Sequence, residues 1–242
     1  MNDIFYRKGN VMIGIIGAMD TEVAKLKELM TEVEVVEASS MEFYKGKLNG
    51  REAVVVRAGI GKVNAACCTQ VMIDRFPVSC VINTGIAGSL RAEIDIGDIV
   101  LATDAIEHDM DVAVFGYAPG QVPGLDTDAF AADEKLRQAA KESCIEVNPD
   151  IHVHEGRVVS GDQFISGKEK KEWLIRTFDG YCTEMEGAAI AHVAYLNQVP
   201  FLIVRAISDK ADDSAEVDYP TFEAKAIEHS VRLITDLAGR FV

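Results

Sequence analysis

Val11-Met12-Ile13-Gly14-Ile15-Ile16-Gly17 is an apolar run that ends in glycine, which is the pattern of a short buried strand. Further apolar runs lead into Ala58-Gly59-Ile60-Gly61 and Thr84-Gly85-Ile86-Ala87-Gly88, and residues 201–207 form another. Helical spacing follows several of these junctions, for example over residues 62–75. Strands thus alternate with helices, and several strands are apolar on both faces. This alternation predicts a one-domain α/β sandwich with a largely buried sheet.

The rest of the chain continues this alternation. Asn49-Gly50 separates two alternating segments and is a strong signal for a hairpin. The strand that begins at Cys80 is expected to end at Asn83. Further predicted elements are strands at 98–102 and 152–159, an irregular stretch at 107–128, and helices at 129–143 and 221–238. We assign 12–242 to one domain and 1–11 to an N-terminal extension.

Composition excludes several classes of protein. The chain has 242 residues, of which 48% are hydrophobic and 26% charged, as in ordinary soluble globular proteins. A net charge of −15 argues against a nucleic acid polymer as partner, because phosphate contacts need clustered Lys and Arg. No apolar run reaches the roughly 18 residues of a membrane span. The five cysteines show no CxxC spacing, so we expect reduced core residues in a cytoplasmic protein.

Two carboxylates stand two residues apart in Thr183-Glu184-Met185-Glu186-Gly187-Ala188-Ala189, where a strand gives way to a helix of small residues. A helix N-terminus favours negative charge, so the pair has a purely structural explanation. A buried carboxylate also costs free energy unless it is paired, which makes the pair a candidate site. The local pattern leaves both explanations open.

The glycine-rich junctions are weak signals when each is taken alone. Gly59-Ile60-Gly61-Lys62 and Gly85-Ile86-Ala87-Gly88 would let a ligand approach the backbone closely. Neither matches a Walker A loop or the dinucleotide fingerprint. For each junction taken alone, a tight packing turn is the favoured explanation.

Together, in chain order, the junctions resemble the 5′-methylthioadenosine/S-adenosylhomocysteine nucleosidase family. The resemblance extends over about residues 12–238. It is carried by Gly14-Ile15-Ile16-Gly17-Ala18-Met19 with Glu22, Gly59-Ile60-Gly61-Lys62-Val63-Asn64-Ala65-Ala66, Asn83-Thr84-Gly85-Ile86-Ala87-Gly88, Gly97-Asp98-Ile99-Val100, Phe115-Gly116-Tyr117, Gly120-Gln121-Val122-Pro123-Gly124, Ser160-Gly161-Asp162-Gln163-Phe164-Ile165, Glu184-Met185-Glu186 and Arg205-Ala206-Ile207-Ser208-Asp209.

The resemblance implies a nucleoside phosphorylase-like fold, a single-domain three-layer sandwich with a central mixed sheet. It also implies hydrolysis of the N-glycosidic bond of thioether adenosines, with release of adenine. Cleavage builds positive charge on the ribose and negative charge on the base. An acid near purine N7 and a base that activates water would each contribute about 10²- to 10⁴-fold.

Three residues carry the implied chemistry. Asp209 would be the acid at the adenine, although a cap after a strand would also explain it. Glu22 would hold and activate the water, although its position alone suggests a solvated residue in the first turn of a helix. Arg205 would fix the water or hold a carboxylate, and a structural ion pair is its alternative role.

The resemblance also implies a set of binding residues. Glu186 would accept hydrogen bonds from the ribose 2′ and 3′ hydroxyls, Met185 would lie against the sugar, and Glu184 would support them. The remaining positions are Phe164, the backbone groups of Ile165, Ala87, Gly88 and Ser208 around the adenine, Met19, Ile60 and Tyr219 at the thioether tail, and Val112, Phe115 and Pro123 from a neighbouring subunit.

Two positions depart from the family pattern. Ile86 stands where a Ser near the water is frequent, and its side chain cannot form a hydrogen bond. Tyr219 stands where a Phe is familiar, and it adds a hydroxyl near the substrate tail. Water positioning would then depend more on Glu22 and Arg205, and the preference between the two thioether substrates is open.

We therefore expect a cytoplasmic, homodimeric hydrolase acting on 5′-methylthioadenosine and S-adenosylhomocysteine, without a metal or organic cofactor. Hydrolysis of 5′-deoxyadenosine or aminofutalosine is the nearest alternative. A phosphorylase would need cations at the glycine-rich turns, where Lys62 and Arg57 are the candidates. A non-catalytic nucleoside-binding protein is the alternative from a different class.

Overall fold

The computed structural model describes residues 12–212 and 215–241, with side chains omitted for 216–220. Its strands are β1 (Met12–Gly17), β2 (Thr31–Ala38), β3 (Met41–Leu48), β4 (Arg51–Arg57), β5 (Val78–Ser89), β6 (Ile99–Glu107), β7 (Phe130–Ala131), β8 (Val153–Ser160), β9 (Cys182–Glu184) and β10 (Phe201–Asp209). Its helices are α1 (Asp20–Leu29), α2 (Lys62–Arg75), α3 (Glu134–Val147), α4 (Lys168–Phe178), α5 (Gly187–Leu196) and α6 (Ala215–Gly239), with a 3₁₀ turn at Ala113–Phe115.

The described strands form one mixed sheet in the order β10-β6-β8-β9-β5-β1-β4-β3-β2. β10 also pairs with β5, so that β10, β6, β8, β9 and β5 close into a ring. The pairs β1–β4, β1–β5, β5–β10, β6–β8 and β8–β9 are parallel. β2–β3, β3–β4, β5–β9, β6–β7 and β6–β10 are antiparallel. The mixed sheet inferred from the resemblance is confirmed.

Helices cover both faces of this sheet and give three layers. Side chains in β1 alternate, with Ile13 and Ile15 in one apolar cluster and Met12 and Ile16 in another. The first cluster joins the sheet to α1, α3 and α6, and the second joins it to α2 and α5. The predicted three-layer sandwich is therefore confirmed.

Several predicted elements have the expected bounds. β1 and α2 are present, and β3 and β4 form the hairpin around Asn49-Gly50, where both residues have a positive φ. β2 and α4 were not predicted. β2 is an exposed edge strand with glutamates along it, so burial leaves little signal in its sequence.

Other elements differ in their bounds from the prediction. β5 does not end at Asn83 but continues to Ser89, because β10 pairs with it as far as Gly88. The helix predicted at 129–143 begins at Glu134, because Asp133 caps it by accepting a hydrogen bond of 2.9 Å from the Leu136 N–H. β6 extends to Glu107, and α6 begins at Ala215.

The remaining chain-level predictions have mixed outcomes. Four cysteines are buried, but Cys67 is exposed, so the expectation of core cysteines is wrong for that residue. The extension assigned to 1–11 lies outside the described residues, and the domain bounds 12–242 stay a prediction. Within the described residues, no helix has both the length and the apolar character needed to cross a membrane.

The parallel strands β4, β1, β5 and β10 bring their carboxyl ends to one edge of the sheet. β1 ends at Gly17, β10 ends at Asp209, and the segment from Gly85 to Gly88 lies between them in β5. Ligands of open parallel sheets bind at this edge. The fold thereby gathers the junctions that the sequence singled out.

We predict that Gly156→Ala lowers the free energy of unfolding by about 1–3 kcal/mol, the usual cost of overpacking. Gly156 lies buried in β8, and a Cβ there would overlap the Tyr181 ring. Gly167→Ala is the control, because nothing lies within 4 Å of a Cβ at that position. Denaturant unfolding of both variants measures the effect. Equal stability of the two variants would contradict the prediction.

Candidate active site

A cavity of about 240 Å³ opens at the carboxyl edge of the sheet. Four carboxylates line it, and among the described lining residues there is no Lys, Arg or His. The lining consists of Ala18, Met19, Glu22, Ile60, Ile86, Ala87, Gly88, Phe164, Thr183, Glu184, Met185, Glu186, Ser208 and Asp209. The structure thus brings together most of the residues that the sequence selected.

Glu22 is buried in the first turn of α1, so the solvated role considered from sequence is wrong. Its Oε2 accepts hydrogen bonds from the Ala18 N–H (2.7 Å) and the Met19 N–H (2.9 Å), and its Oε1 accepts one from the Ile86 N–H (3.1 Å). Burial raises the pKa of Glu22, whereas Arg205 and these N–H groups act in the opposite direction. The carboxylate is fixed in orientation yet suited to take a proton.

Gly85 leaves space for the Glu22 carboxylate and the Arg205 guanidinium group behind the cavity. A Cβ at this position would lie 2.6 Å from Glu22 Oε1 and would also overlap Arg205 Nη1. Glycine is therefore required here because two side chains approach the backbone closely. Its φ is not in the positive range, so a turn conformation is not the reason.

Arg205 is buried directly behind the cavity, on β10 opposite Gly85. Its Nε donates to Glu184 Oε2 at 3.1 Å, and its Nη2 donates to both Glu184 Oε2 and Asn83 Oδ1. Burial raises the pKa of Glu184, but Arg205 and the hydrogen bonds from Ser160 and the Gly187 N–H together outweigh burial and hold the pKa below its ordinary value. Arg205 therefore holds a carboxylate, as one of its two expected roles required.

Glu184 and Glu186 differ in position and in hydrogen-bond partners. β9 ends at Glu184, whose carboxylate accepts from the Glu186 N–H (3.1 Å) and the Gly187 N–H (2.8 Å), the first amides of α5. Glu186 precedes α5, and its Oε1 accepts from the Gly61 N–H at 2.8 Å. Burial and the neighbouring Glu184 raise the pKa of Glu186 to about 7.

Asp209 ends β10 and lies opposite Gly88 of β5. It is buried, its Oδ1 accepts from the Ala211 N–H at 2.8 Å, and its Oδ2 is 2.9 Å from Ser208 Oγ. Glu22 contacts Ile86 of the same strand. At about 3.3 Å per residue, the two positions of β5 that these acids face, Ile86 and Gly88, lie about 7 Å apart along the strand.

The predicted adenine and tail residues have mixed placements. Met19, Ile60, Ala87, Gly88 and Phe164 line the cavity, with Phe164 52% exposed and Ile60 54% exposed. The Ile165 side chain is buried in a separate apolar cluster and does not line the cavity, and the expected contact of the Ile165 backbone with adenine stays a prediction. The side chain of Tyr219 lies outside the described part of the chain.

Val112, Phe115 and Pro123, which we expected from a neighbouring subunit, do not line the cavity of their own chain. They lie in the irregular stretch after β6, where Phe115 is 76% exposed and Val114 is 87% exposed. Their predicted place beside the cavity of a second subunit stays a prediction.

Three polar residues of the site had no role assigned from sequence. Ser160 Oγ donates to Glu184 and accepts from the Ala188 N–H at 2.7 Å. Asn83 links Arg205 to the Ile16 carbonyl oxygen, to which it donates at 3.0 Å. Thr183 lines the cavity, and its buried hydroxyl has no hydrogen-bond partner in the structure. Asn83 and Ser160 belong to the segments that carry the family resemblance, and this membership is the sequence feature that could have indicated a role for them.

Among the side chains that the structure describes, no three His, Cys, Asp or Glu residues are grouped so that they could hold a metal ion. The polar groups of the cavity are instead acceptors for protons and hydroxyls. Such a site can bind a small polyol and exchange protons with it at two separated points.

Comparison with known proteins gives the relatives of this chain. The family model of the phosphorylase superfamily matches residues 12–239. A 5′-methylthioadenosine/S-adenosylhomocysteine nucleosidase from Anoxybacillus flavithermus is 43% identical over 223 residues, which cover 92% of this chain and 95% of the relative.

Solved structures agree with this match. The nucleosidase of the same name from Colwellia psychrerythraea, in complex with adenine, has a TM-score of 0.92 and 36% identity, with 96% of each chain covered. A futalosine hydrolase from Helicobacter pylori has a TM-score of 0.89 and 34% identity, covering 94% of this chain and 97% of that one. This chain therefore belongs to the phosphorylase superfamily and, within it, to the family of 5′-methylthioadenosine/S-adenosylhomocysteine nucleosidases.

Proposed function

We propose that this protein hydrolyses the N-glycosidic bond of 5′-methylthioadenosine and S-adenosylhomocysteine, releasing adenine and the thioribose product. The observation that carries the proposal is a cavity with Glu22 and Asp209 at separate points of its lining. Glycoside hydrolases that activate a water place their two carboxyl groups roughly 6.5–9.5 Å apart. Glu22 and Asp209 face positions of β5 that lie about 7 Å apart along the strand, which supports a place for a water beside the sugar.

Each carboxyl group takes one role in the proposed reaction. Asp209 donates a proton to purine N7 as the bond to the ribose breaks. Glu22 accepts a proton from the water that attacks the anomeric carbon. Glu186 accepts hydrogen bonds from the ribose 2′ and 3′ hydroxyls, and Met185 lies against the sugar. Each positioned proton transfer contributes about 10²- to 10⁴-fold.

The charges around the cavity favour water over phosphate as the nucleophile. The nearby cations are already paired with carboxylates. Lys62 Nζ lies 2.6 Å from Asp109 Oδ1, and Arg57 Nη1 lies 3.3 Å from Asp20 Oδ2. Arg205 is bound to Glu184. The cavity presents carboxylates, which would repel a phosphate anion. A hydrolase is therefore favoured over a phosphorylase.

We also propose that the active unit is a homodimer in the cytoplasm. Val112, Phe115 and Pro123 of one subunit would close the tail end of the neighbouring cavity. The exposed apolar side chains around Val114 and Phe115 support an interface, because monomers rarely expose such groups together. The reaction would serve methionine salvage and would remove a by-product of methyl transfer.

The nearest alternative is hydrolysis of 5′-deoxyadenosine or aminofutalosine. The similarity to the Helicobacter pylori futalosine hydrolase favours this alternative. It requires the same acid, base and diol contacts, and it differs only at the tail. A non-catalytic binding protein has less support, because both Glu22 and Asp209 are present and buried at the cavity.

The proposal is tested by comparing kcat/KM for 5′-methylthioadenosine, S-adenosylhomocysteine, 5′-deoxyadenosine and aminofutalosine, each with and without phosphate. We expect the two thioether substrates to be preferred and phosphate to have no effect. Preference for aminofutalosine would favour the alternative. Unchanged nucleosides after long incubation would favour a binding protein.

We predict that Asp209→Asn lowers kcat by about 10²- to 10⁴-fold, because the amide cannot supply the proton to the leaving base. Adenine release from 5′-methylthioadenosine measures the effect. Asp95→Asn is the control, because the Asp95 side chain is 77% exposed and does not line the cavity. A near-normal kcat for Asp209→Asn would mean that another group is the acid.

We predict that kcat/KM for 5′-methylthioadenosine falls as pH decreases through about 7, the pKa of Glu186. The ionised carboxylate accepts from both ribose hydroxyls, and protonation removes an acceptor. Binding is therefore strongest above this pH. In Glu186→Gln, kcat/KM should be low and should lose this dependence. An identical acid limb in wild type and Glu186→Gln would contradict the assignment.

A further inference from the structure

Lys62 and three acidic residues form a hydrogen-bonded group beside the cavity, which we call the Lys62 clamp: Lys62 with its ion-pair partners Glu107 and Asp109, and the exposed Asp162. Lys62 Nζ lies 2.9 Å from Glu107 Oε2 and 2.6 Å from Asp109 Oδ1. The Lys62 and Asp109 side chains are about four-fifths buried, and that of Glu107 is more than nine-tenths buried. These two ion pairs are therefore screened less by salt than fully exposed pairs are.

The clamp connects three separate segments of the chain. Lys62 begins α2, Glu107 ends β6, and Asp162 follows β8. The Lys62 backbone N–H donates to Asp162 Oδ1 at 2.8 Å, and the Asp162 N–H donates to Asp109 Oδ2 at 2.9 Å. These hydrogen bonds and the Lys62–Asp109 ion pair form a closed ring of contacts, which fixes the position of the start of α2.

The ionisation of the clamp is consistent with this geometry. Burial lowers the pKa of Lys62, but the hydrogen bonds to Asp109 and Glu107 outweigh it and raise the pKa overall. The His192 hydrogen bond, followed by that of Lys62, holds the pKa of Glu107 below its ordinary value. The ion pairs are thus present at neutral pH.

Gly61, the residue before Lys62, connects the clamp to the cavity. Its N–H is the donor that contacts Glu186 Oε1 at 2.8 Å. Gly61 has a φ of +94°, and a Cβ there would lie 2.9 Å from Asp162 Oδ1. The backbone at Gly61 is therefore held directly against the clamp, and the direction of its N–H is set with it.

We propose that Lys62 is a positioning residue for the ribose contact: its clamp holds the Gly61 N–H on Glu186, so that the carboxylate presents its remaining acceptor sites to the 2′ and 3′ hydroxyls. This inference rests on the proposed function and adds a residue to it. One amide N–H occupies one acceptor site of Glu186 and leaves enough for two hydroxyls. Without the clamp, the carboxylate would rotate and the diol would lose its fixed partner.

Lys62→Met tests the inference, because it removes the charge and keeps most of the side-chain volume. For 5′-methylthioadenosine we expect KM to rise about tenfold with kcat changed by less than about threefold, a loss of binding common to ground state and transition state. For the 2′,3′-dideoxy analogue, which lacks both hydroxyls, KM should change by less than about threefold, so discrimination between the two nucleosides should fall. Lys141→Met is the control, because Lys141 also pairs with an acidic residue, but that residue, Glu155, is bonded to Arg137 and Lys141 and to neither Gly61 nor Glu186.

Two further comparisons separate positioning from general stability. In a Glu186→Gln background, Lys62→Met should have no further effect on KM, because the coupled partner is already lost. Lys62→Arg should retain most of the discrimination. If Lys62→Met does not fold, Asp109→Asn removes one ion pair and should lower discrimination in the same direction.

The outcomes distinguish this inference from the proposed function. Active wild type with unchanged discrimination in Lys62→Met would overturn the role of Lys62 alone. Additive effects of Lys62→Met and Glu186→Gln would also overturn it. Wild type that cleaves no nucleoside would overturn the proposed function and the role of Lys62 with it.

Discussion

The site depends on one buried interaction, the ion pair between Arg205 and Glu184. Both side chains are almost fully buried, and Glu184 is compensated by Arg205 together with hydrogen bonds from Ser160 and the first amides of α5. Removal of one partner from such a pair costs about 3–5 kcal/mol, because the other charge is left alone in the interior. The same pair joins β9 and β10 to α5 and so sets where Glu186 lies.

This ion pair also explains why similar carboxyl groups differ in their protonation. Glu184 takes most of the compensation from Arg205, and its pKa is lowered. Glu186 Oε2 lies 4.0 Å from Arg205 Nη2. Burial and the charge of Glu184 disfavour the ionised form of Glu186 and raise its pKa to about 7. The pKa of Glu22 is raised by burial. The single cation Arg205 thus keeps Glu184 ionised, while the pKa values of Glu22 and Glu186 are raised.

Sequence patterns predicted the parts of the fold in which local and tertiary preferences agree, such as β1 and the hairpin at Asn49-Gly50. They failed where neighbours decide, as in β5, where pairing with β10 keeps a glycine-rich segment extended beyond Asn83. In the site, local spacing alone suggested that Glu22 was solvated. Its burial follows from contacts with β5, which is distant in sequence, and only the family resemblance pointed to it. From sequence, Lys62 is only a candidate phosphate ligand. Its acidic partners, Glu107 and Asp109, are distant in sequence, so local spacing cannot indicate the ion pairs.

The central claim is that water, activated on one side of the ribose, displaces adenine from the other. The most direct measurement is the mass of the sugar product after turnover of 5′-methylthioadenosine in water labelled with heavy oxygen. The account predicts one heavy oxygen in the free sugar and a rate of adenine release that added phosphate does not change. Adenine release that requires phosphate and yields a sugar 1-phosphate without the label would contradict it.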